Sequence, residues 1–574
     1  MLVWWNRFTG LSDAAFLMYG QQVLAGRVPY RDFYLPFPPL TVVKTAALIK
    51  VFGSLLIVPR LLAMLERSCL SAALFCWLAS AFRLRDALLG TVVAMIVFCG
   101  DLADQLSSYH HDSVFLSVAA GICATLLLRK STSRRRLAAL CCGLFCGLAL
   151  LTKQTTGAGI GATLFAVIVL SYEPEGKAPS RASVAALFVA GWAIPIAAVG
   201  GWLFHAGALP VAVQTVFGKG TASKGPLLHV LARPIRDPLV LGVYREAWLA
   251  ALFLLVGAWL LLRDAGAKAR FSPVLSKALA LACFGIATYE LFRDSFLVSG
   301  YFLWIYLGLL VGFAVSAHTL LKRLAGPLDD SAKRIWVFAA TSFAVAYMLS
   351  LSWAAYQPMA VPAIAFVICF LLAHTDKTRF RSSLRLFITI AGLTLAVVAV
   401  VIKLAMPYDW VGWREPPVWH ATGVPHLPEL RGMRLSPTTI DTVEMATHAI
   451  QGACPTGGLL FAYPYSPLLY ALSHRAPATY SYLPWYDVTP DDVAEQDARL
   501  LLSQPPCAIA YLELPSQDNE RFELLYRGRQ ASGQRALVRA IETLAKSYRI
   551  LFVREFPGGT KLTVFGARTP PAVQ

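Results

Sequence analysis

Two aspartates, Asp13 and Asp32, stand in a polar-studded stretch near the start of the chain, residues 10–53, which lies among apolar runs. A carboxylate in such a place can accept a proton as a general base. Any chemistry of this protein is therefore expected to start in this stretch.

Two short helices are predicted to position these carboxylates. Ser12 can cap a helix that begins at Asp13, apolar residues follow on one side, and Gly26 provides a stop. Four prolines between positions 29 and 39 break the backbone, so Asp32 lies in a rigid, irregular loop before a second helix at about 40–52. Such helices suit a membrane surface, and the loop between them would frame a site at the bilayer edge.

A second polar cluster, Tyr109, His110, His111 and Asp112, opens a later apolar run. Titratable groups at a membrane boundary cost free energy unless they are paired or used. The two histidines and the aspartate could ligate a divalent metal ion that holds a lipid-linked phosphate, or they could contact a phosphate or sugar directly. The structural alternative is a polar cap on a helix.

Two further cationic segments are candidates for binding an anion. Lys153 and Gln154 separate two apolar runs, where the lysine either meets an anionic group or simply extends toward water. The loop 211–238 carries Lys219 and Lys224 among glycines and prolines, and it either closes over a substrate or meets anionic lipid headgroups.

The composition places these residues in a membrane protein. Of 574 residues, 57% are hydrophobic and only 15% are charged, with a mean hydropathy of +0.58. The net charge of +18 belongs to residues 1–406, which hold 36 Lys and Arg against 17 Asp and Glu, whereas residues 407–574 hold 15 against 16. Basic loops between apolar spans report membrane orientation rather than nucleic-acid binding, so no nucleic-acid partner is expected.

About twelve apolar spans are predicted in residues 1–406. They lie near 61–80, 86–100, 112–128, 136–151, 155–172, 182–206, 246–263, 273–291, 295–318, 335–352, 353–374 and 384–406. Six basic connectors fall on alternate loops and define an inner face. The polar segments described above and the C-terminal part then share the outer face. Twelve spans with an outer C-terminus require an outer N-terminus, and residues 1–10 are too few to cross a bilayer. A further membrane helix is therefore expected upstream of Met1, or else the N-terminus is translocated without one.

Residues 407–574 are predicted to form an extracytoplasmic α/β domain. Ser436 and Pro437 can open a helix that runs to about Gln451, and a second helix is expected at 534–546. Strands are predicted at 459–463, 507–514, 548–556 and 561–566. Cys454 and Cys507 could form a disulfide if this part is extracytoplasmic, while the other cysteines fall in apolar segments without metal-ligand spacing.

The first loop resembles that of a known enzyme family. An acidic residue that opens an amphipathic helix, then the pattern G-x-x-P-Y-R-D-F from Gly26, and then a helix opened by P-P-L and ended by F-G are similar to the first external loop of GT-C membrane glycosyltransferases. Within that superfamily, the stretch resembles the polyprenyl-phosphate-sugar-dependent enzymes, which include protein mannosyltransferases and lipid A aminoarabinose transferases.

The resemblance implies roles for several residues. Asp13 matches the family's catalytic base, but Ala14 follows it where the commoner pattern has a glutamate, so the second carboxylate would be Asp32 or Asp112. Lys153 lies in an L-A-L-L-T-K motif, and in the family a Lys or Arg at the end of a similar motif lies near the donor phosphate. The loop 211–238 resembles an external loop that becomes ordered on substrate binding.

The expected function is inverting sugar transfer from a polyprenyl-phosphate donor to a glycan, lipid or protein acceptor on the outer face of the plasma membrane. No cofactor is assigned, although a divalent metal ion is an open possibility. A polysaccharide polymerase or ligase is the closer alternative, since it also uses lipid-linked sugars. A secondary transporter would be expected to carry half-sequence repeats and charges at mid-membrane, whereas the carboxylates here cluster at one face.

Overall fold

The computed structural model describes residues 4–100, 108–129, 134–174, 178–219, 227–240, 245–264, 297–351, 359–375, 381–410, 413–527, 530–556 and 559–568, with short helical pieces between 278 and 286. Its first part is helical and its last part contains a small sheet. The predicted fold class, an α-helical membrane protein with a C-terminal α/β region, is therefore confirmed.

The helices of the first part are α1 Ala15–Leu24, α2 Leu40–Phe52, α3 Ile57–Ala79, α4 Leu84–Cys99, α5 Tyr109–Leu128, α6 Arg135–Thr152, α7 Gln154–Ser171, α8 Arg181–His205, α9 Leu209–Val213, α10 Leu227–Val240, α11 Arg245–Asp264, α12 Leu297–Ala325, α13 Asp330–Leu351, α14 Val361–Thr375 and α15 Arg381–Ala405. A π-helical turn, Gln214–Lys219, follows α9.

Eight helices among the described residues are long and apolar enough to cross a membrane. They are α3, α5, α6, α7, α8, α13 and the segments Phe302–Ala325 of α12 and Arg385–Ala405 of α15. Predicted spans near 86–100 and 246–263 coincide with α4 and α11, and the later part of the span predicted at 353–374 coincides with α14. These three helices are shorter or have shorter apolar stretches. The span predicted at 273–291 lies mostly outside the described residues.

Small residues let two of the spanning helices approach closely. A Cβ at Gly143 of α6 would lie 1.9 Å from the carbonyl oxygen of Phe188 in α8, and one at Gly191 of α8 would lie 2.2 Å from the carbonyl oxygen of Leu140. Glycine is therefore required on both sides of this contact, a packing mode common between membrane helices.

The segment 10–53 folds as two helices, as predicted. Their C-terminal ends lie where the sequence predicted them, but the N-terminus of α1 differs from the prediction. A turn closed by Gly26, with φ of 85°, follows α1, and Gly53, with φ of 83°, ends α2. The predicted cap at Ser12 is wrong, because α1 begins at Ala15 without a side-chain cap and the Ser12 hydroxyl instead pairs with the hydroxyl of Tyr408. Residues 15–20 of α1 are buried by protein rather than open to a membrane surface.

The C-terminal part contains helices and one five-stranded sheet. The elements of this part are β1 Asp409–Trp410, β2 Trp413–Arg414, α16 Pro437–Ala453, β3 Leu459–Tyr463, α17 Pro467–Ser473, β4 Ala476–Pro477, α18 Asp491–Ser503, β5 Ala508–Glu513, α19 Ser516–Arg527, α20 Gln534–Ala545, β6 Tyr548–Glu555 and β7 Lys561–Ala567. The strands β1 and β2 pair only with each other. The five-stranded sheet has the order β4-β3-β5-β7-β6, parallel from β4 to β5 and antiparallel from β5 to β6.

The local predictions for this part agree with the structure. The Ser436 hydroxyl accepts a hydrogen bond from the Thr439 amide and caps α16, and the four predicted strands appear within one or two residues of their expected bounds. Cys454 and Cys507 form a disulfide that links the end of α16 to the start of β5.

Backbone hydrogen bonds join the C-terminal part to the segment 10–53. The Leu468 amide donates to the Leu11 carbonyl at 3.1 Å, and the Tyr34 amide donates to the Tyr480 carbonyl at 2.8 Å. The Gln21 side chain also donates to the Ala471 carbonyl at 3.1 Å. The two regions therefore lie on the same side of the membrane helices.

Candidate active site

Asp13 lies buried in a turn between the membrane helices and the C-terminal part, with 2% of its surface exposed. One carboxylate oxygen accepts from the Ala14 amide at 2.8 Å, and the other forms an ion pair with the guanidinium of Arg60 in α3. Arg60 is 1% exposed and also donates to the carbonyls of Trp5 and Phe8. The guanidinium supplies the positive charge that a carboxylate buried as an anion requires.

The backbone beside Asp13 is strained and held by a residue far along the chain. Ala14 has φ of 67°, a left-handed conformation that costs a non-glycine residue about 1–2 kcal/mol. The ring of Tyr408, three residues after α15 ends, packs so closely on Gly10 that a Cβ there would lie 2.1 Å from it. Unusual backbone of this kind concentrates at functional sites.

A second ion-paired group connects α2, α3 and α5. The Lys44 ammonium lies 2.6 Å from Asp112 and 2.9 Å from Glu66, and the Thr41 hydroxyl donates to Asp112 at 2.7 Å. Burial alone would lower the pKa of Lys44, but the carboxylates of Asp112 and Glu66 raise it above its ordinary value. Lys44 therefore carries a positive charge at neutral pH. Its side chain is 25% exposed.

The two histidines of the cluster point to different cations. Nδ1 of His110 lies 3.0 Å from the Lys153 ammonium, and the ring of His111 lies 3.2 Å from the guanidinium of Arg67. Asp112 is engaged by Lys44, so the three side chains do not converge on one point. Among the residues described, no group of three or more His, Cys, Asp or Glu side chains could hold a metal ion.

Aromatic rings join the two groups. The ring of Tyr109 stacks on Phe37 with centroids 4.4 Å apart and lies 6.1 Å from the ring of Phe16. Phe16 is three residues after Asp13, and Tyr109 is three residues before Asp112. The start of α1 and the start of α5 are thereby packed into one site.

The remaining predicted site residues lie apart from these groups or are not described. Asp32 pairs with its neighbour Arg31 at 2.8 Å and accepts from the Val28 amide, contacts that fold its own loop. The Gln154 side chain donates to the carbonyl of Val216 in the π-helical turn. Lys219 ends that turn, but its side chain, like the whole of Lys224, lies outside the described residues.

Three charged residues of the site were missed from the sequence. Arg60 pairs with Asp13, while Lys44 and Glu66 complete the group around Asp112. For Arg60 and Glu66 the available signal was a set of charges inside the apolar stretch of α3, since ionisable residues within a membrane segment are rare and are usually functional, whereas Lys44 of α2 carried no such signal.

A buried carboxyl of the C-terminal part lies next to this site. Glu415 is 2% exposed and accepts from the indole of Trp413 at 2.9 Å and from the hydroxyl of Thr439. Burial raises the pKa of Glu415 to about 7, although these hydrogen bonds and the charge of Arg60 act in the opposite direction.

Comparisons with known proteins find similarity only at the level of structure. No protein-family model matches the chain, and a search of curated proteins finds no match. Among solved structures, ArnT from Cupriavidus metallidurans bound to undecaprenyl phosphate is 13% identical over 98% of this chain and 95% of that chain, with a TM-score of 0.39. The archaeal oligosaccharyltransferase AglB from Archaeoglobus fulgidus, in complex with an inhibitory peptide and a dolichol-phosphate, is 13% identical over 100% of this chain and 73% of that chain, with a TM-score of 0.45.

Proposed function

We propose that this protein is an inverting glycosyltransferase that moves a sugar from a polyprenyl-phosphate donor to an acceptor on the outer face of the plasma membrane. The donor class follows from the resemblance of the first loop to GT-C enzymes. The acceptor is a glycan, a lipid or a protein that carries a nucleophilic group.

The observation that carries the proposal is the enclosed set of charged residues where α1, α3, α5 and the C-terminal part meet. Asp13, Arg60, Asp112 and Lys153 are each at most 7% exposed, and all lie in an otherwise apolar protein. Burying a charge costs several kcal/mol, which even a good ion pair offsets only in part. A concentration of such groups on one side of the membrane helices is better explained by chemistry than by stability.

The roles of the residues follow from charge and position. Asp13 accepts the proton of the acceptor hydroxyl while that oxygen attacks the anomeric carbon. The bond from this carbon to the phosphate oxygen breaks in the same displacement, so the configuration inverts and polyprenyl phosphate leaves. Lys153 stabilises the negative charge of the leaving group, together with lysines of the loop 211–238, Lys219 and Lys224.

The structure adds Lys44 to this proposal. Its ammonium is held between Asp112 and Glu66 but remains partly exposed, so it can meet a phosphate without leaving its partners. Asp112 then acts as the second carboxylate of the site by orienting Lys44. Asp32 is assigned no chemical step, because its contacts are local.

The extracytoplasmic placement of residues 407–574 belongs to the same proposal. These residues contact the segment 10–53, and the charge distribution of the loops predicts an outer position for that segment. The disulfide between Cys454 and Cys507 supports this side, because disulfides persist in oxidising compartments.

Deletion of the gene tests the function directly. Loss of one sugar from a cell-surface glycan, glycolipid or glycoprotein, restored by the wild-type gene, is the expected result. Mass spectrometry of the isolated surface molecules would detect it. An unchanged profile would contradict the proposal, and loss of whole polysaccharide chains would favour a polymerase or ligase.

A further inference from the structure

The turn between β3 and α17 brings a tyrosine of the C-terminal part to the Asp13 turn. The Leu468 amide donates to the Leu11 carbonyl at 3.1 Å. Leu468 is three residues after Tyr465, and Leu11 is two residues before Asp13. The β3–α17 turn is thus fixed against the turn that holds the candidate base.

Tyr465 has a backbone conformation that tyrosine rarely adopts. Its φ is 39°, which is favourable for glycine and costly for a residue with a large side chain. The hydroxyl of the next residue, Ser466, donates to the Pro464 carbonyl at 2.9 Å, and α17 begins directly afterwards. A strained tyrosine where glycine would be relaxed suggests that the side chain is needed at this position.

The side chain of Tyr465 borders the site instead of being sealed in the core. Its neighbours Tyr463 and Ser466 are buried, whereas Tyr465 is only half-buried. Tyr465 packs against the buried core to which Tyr19 of α1 and Tyr408 after α15 belong, and a negative charge on Tyr465 would raise the pKa of both phenols. Tyr465 therefore lies where α1, the segment after α15 and the C-terminal part meet, beside the Asp13 turn.

A buried aromatic residue of the C-terminal part supports Tyr465. The ring of Trp485, which is 2% exposed, meets that of Tyr465 edge-on at 6.4 Å. Tyr465 is thus packed on one side against a buried indole, while its own side chain is only half-buried.

We propose that Tyr465 binds the hydroxyl groups of a sugar or other hydroxylated substrate beside Asp13, so that the C-terminal part completes the substrate-binding site. A phenol both donates and accepts hydrogen bonds, and its ring packs on the apolar face of a sugar. The inference rests on the proposed function and adds to it a residue that contacts substrate from the C-terminal part.

The test compares full-length variants in the gene-deletion strain. Tyr465→Phe removes only the hydroxyl, and Tyr465→Gly removes the side chain while suiting the observed φ. Tyr511→Phe, on β5, is the matched control, and Asp13→Asn reports on the proposed function in the same strain. Thermal unfolding and gel filtration of the purified proteins give the amount of folded protein, and rates are expressed per folded molecule.

We expect Tyr465→Phe to lower sugar transfer about tenfold, the effect of one lost hydrogen bond to substrate, while Tyr511→Phe transfers normally. Affinity for undecaprenyl phosphate, a probe without a sugar, is expected to be unchanged. A loss of less than about threefold in both Tyr465 variants would overturn the proposal.

A further measurement distinguishes whether Tyr465 binds hydroxyl groups of the donor sugar or of the acceptor. If release of free sugar from the donor in the absence of acceptor falls together with transfer, Tyr465 binds the donor sugar. If only transfer falls, it binds the acceptor. If the Tyr465→Phe strain makes normal glycans while the Asp13→Asn strain has lost them, only the role of Tyr465 is refuted. If the deletion strain itself has an unchanged glycan profile, the proposed function is refuted as well.

Discussion

The segment 10–53 supplies two aspartates that each pair with an arginine, and the two pairs differ in almost every physical respect. Asp13 and Arg60 are 47 positions apart, both are at most 2% exposed, and their contact joins the first turn to a membrane helix. Asp32 and Arg31 are adjacent in the chain, and their side chains are 29% and 49% exposed. The first pair organises the site, while the second folds a loop.

The two ion pairs should therefore also differ in how much they contribute to the stability of the fold. A solvent-exposed ion pair contributes about 0–1 kcal/mol, because water screens the charges and long side chains lose freedom. Removing one partner of a buried pair costs about 3–5 kcal/mol, because the other charge is left buried and alone. The proposed role of Asp13 therefore depends on its burial with a cation at the candidate site, not on the mere presence of an Asp–Arg pair.

Asp13→Asn should have the largest effect. Asparagine keeps the size of the side chain but cannot accept the proton, so transfer should fall by several orders of magnitude, beyond the roughly hundredfold loss of a weak acid–base role. Transfer by purified protein from a polyprenyl-phosphate sugar measures this.

Because Asp13→Asn also leaves Arg60 without its anion, the double variant Asp13→Asn/Arg60→Met is the control for folding. It should recover part of the lost thermal stability but none of the activity. Wild-type turnover in the single variant would refute the role of Asp13 as the base.

Lys44→Met should have the next largest effect. It removes the ammonium that lies between Asp112 and Glu66, and loss of one group that stabilises a leaving phosphate costs about 10²- to 10³-fold in turnover. Lys50→Met, on an exposed position of the same helix, is the matched control and should transfer normally. Equal activities in the two variants would mean that the Asp112 group is purely structural.

Glu415→Gln should change how stability depends on pH. Since the pKa of Glu415 is raised from 4.5 to about 7, the folded protein binds more protons than the unfolded chain between these values. Stability should therefore fall as pH rises through this window, and the fall should be smaller in Glu415→Gln. Thermal unfolding from pH 4.5 to 7.5 measures it, with Glu542→Gln on the exposed face of α20 as control. Parallel curves for wild type and Glu415→Gln would contradict the assignment.

Asp32→Asn should have the smallest effect. The pKa of Asp32 is lowered by its hydrogen bond with Arg31, but the pair is exposed, so its loss should change stability by about 1 kcal/mol or less. Transfer should stay within about twofold of wild type, because an amide oxygen still accepts from the Val28 amide. Loss of transfer comparable to that of Asp13→Asn would move the base to the proline-rich loop and reverse the comparison.

The sequence predicted those parts of the fold that depend on local signals. Apolar length and flanking charge located the eight spanning helices among the described residues, Gly26 and Gly53 marked helix ends, and short runs rich in β-branched and aromatic residues marked the strands. Such signals involve residues a few positions apart, so they are readable without knowledge of tertiary contacts.

Pairing between distant residues was not predictable in this way. His110 and Lys153 were each singled out, but their contact, across 43 positions, depends on how α5 and α6 pack. Arg60 stood out only as a charge within an apolar helix, and its pairing with Asp13, 47 positions away, became visible only in the structure. The left-handed Ala14 had no sequence signal, because alanine normally favours a helix and tertiary contacts override that preference here.

The packing of Tyr408 on Gly10 has a consequence for the order of events during synthesis. Tyr408 is made 396 residues after Ser12, to which it is hydrogen-bonded, and at roughly 5–20 residues per second the ribosome needs about 20–80 s to produce that interval. Throughout this time the Asp13 turn lacks its contact with the ring of Tyr408. A nascent protein that stalls before α15 is complete therefore lacks both that spanning helix and the finished Asp13 turn, which can form only after Tyr408 has been synthesised.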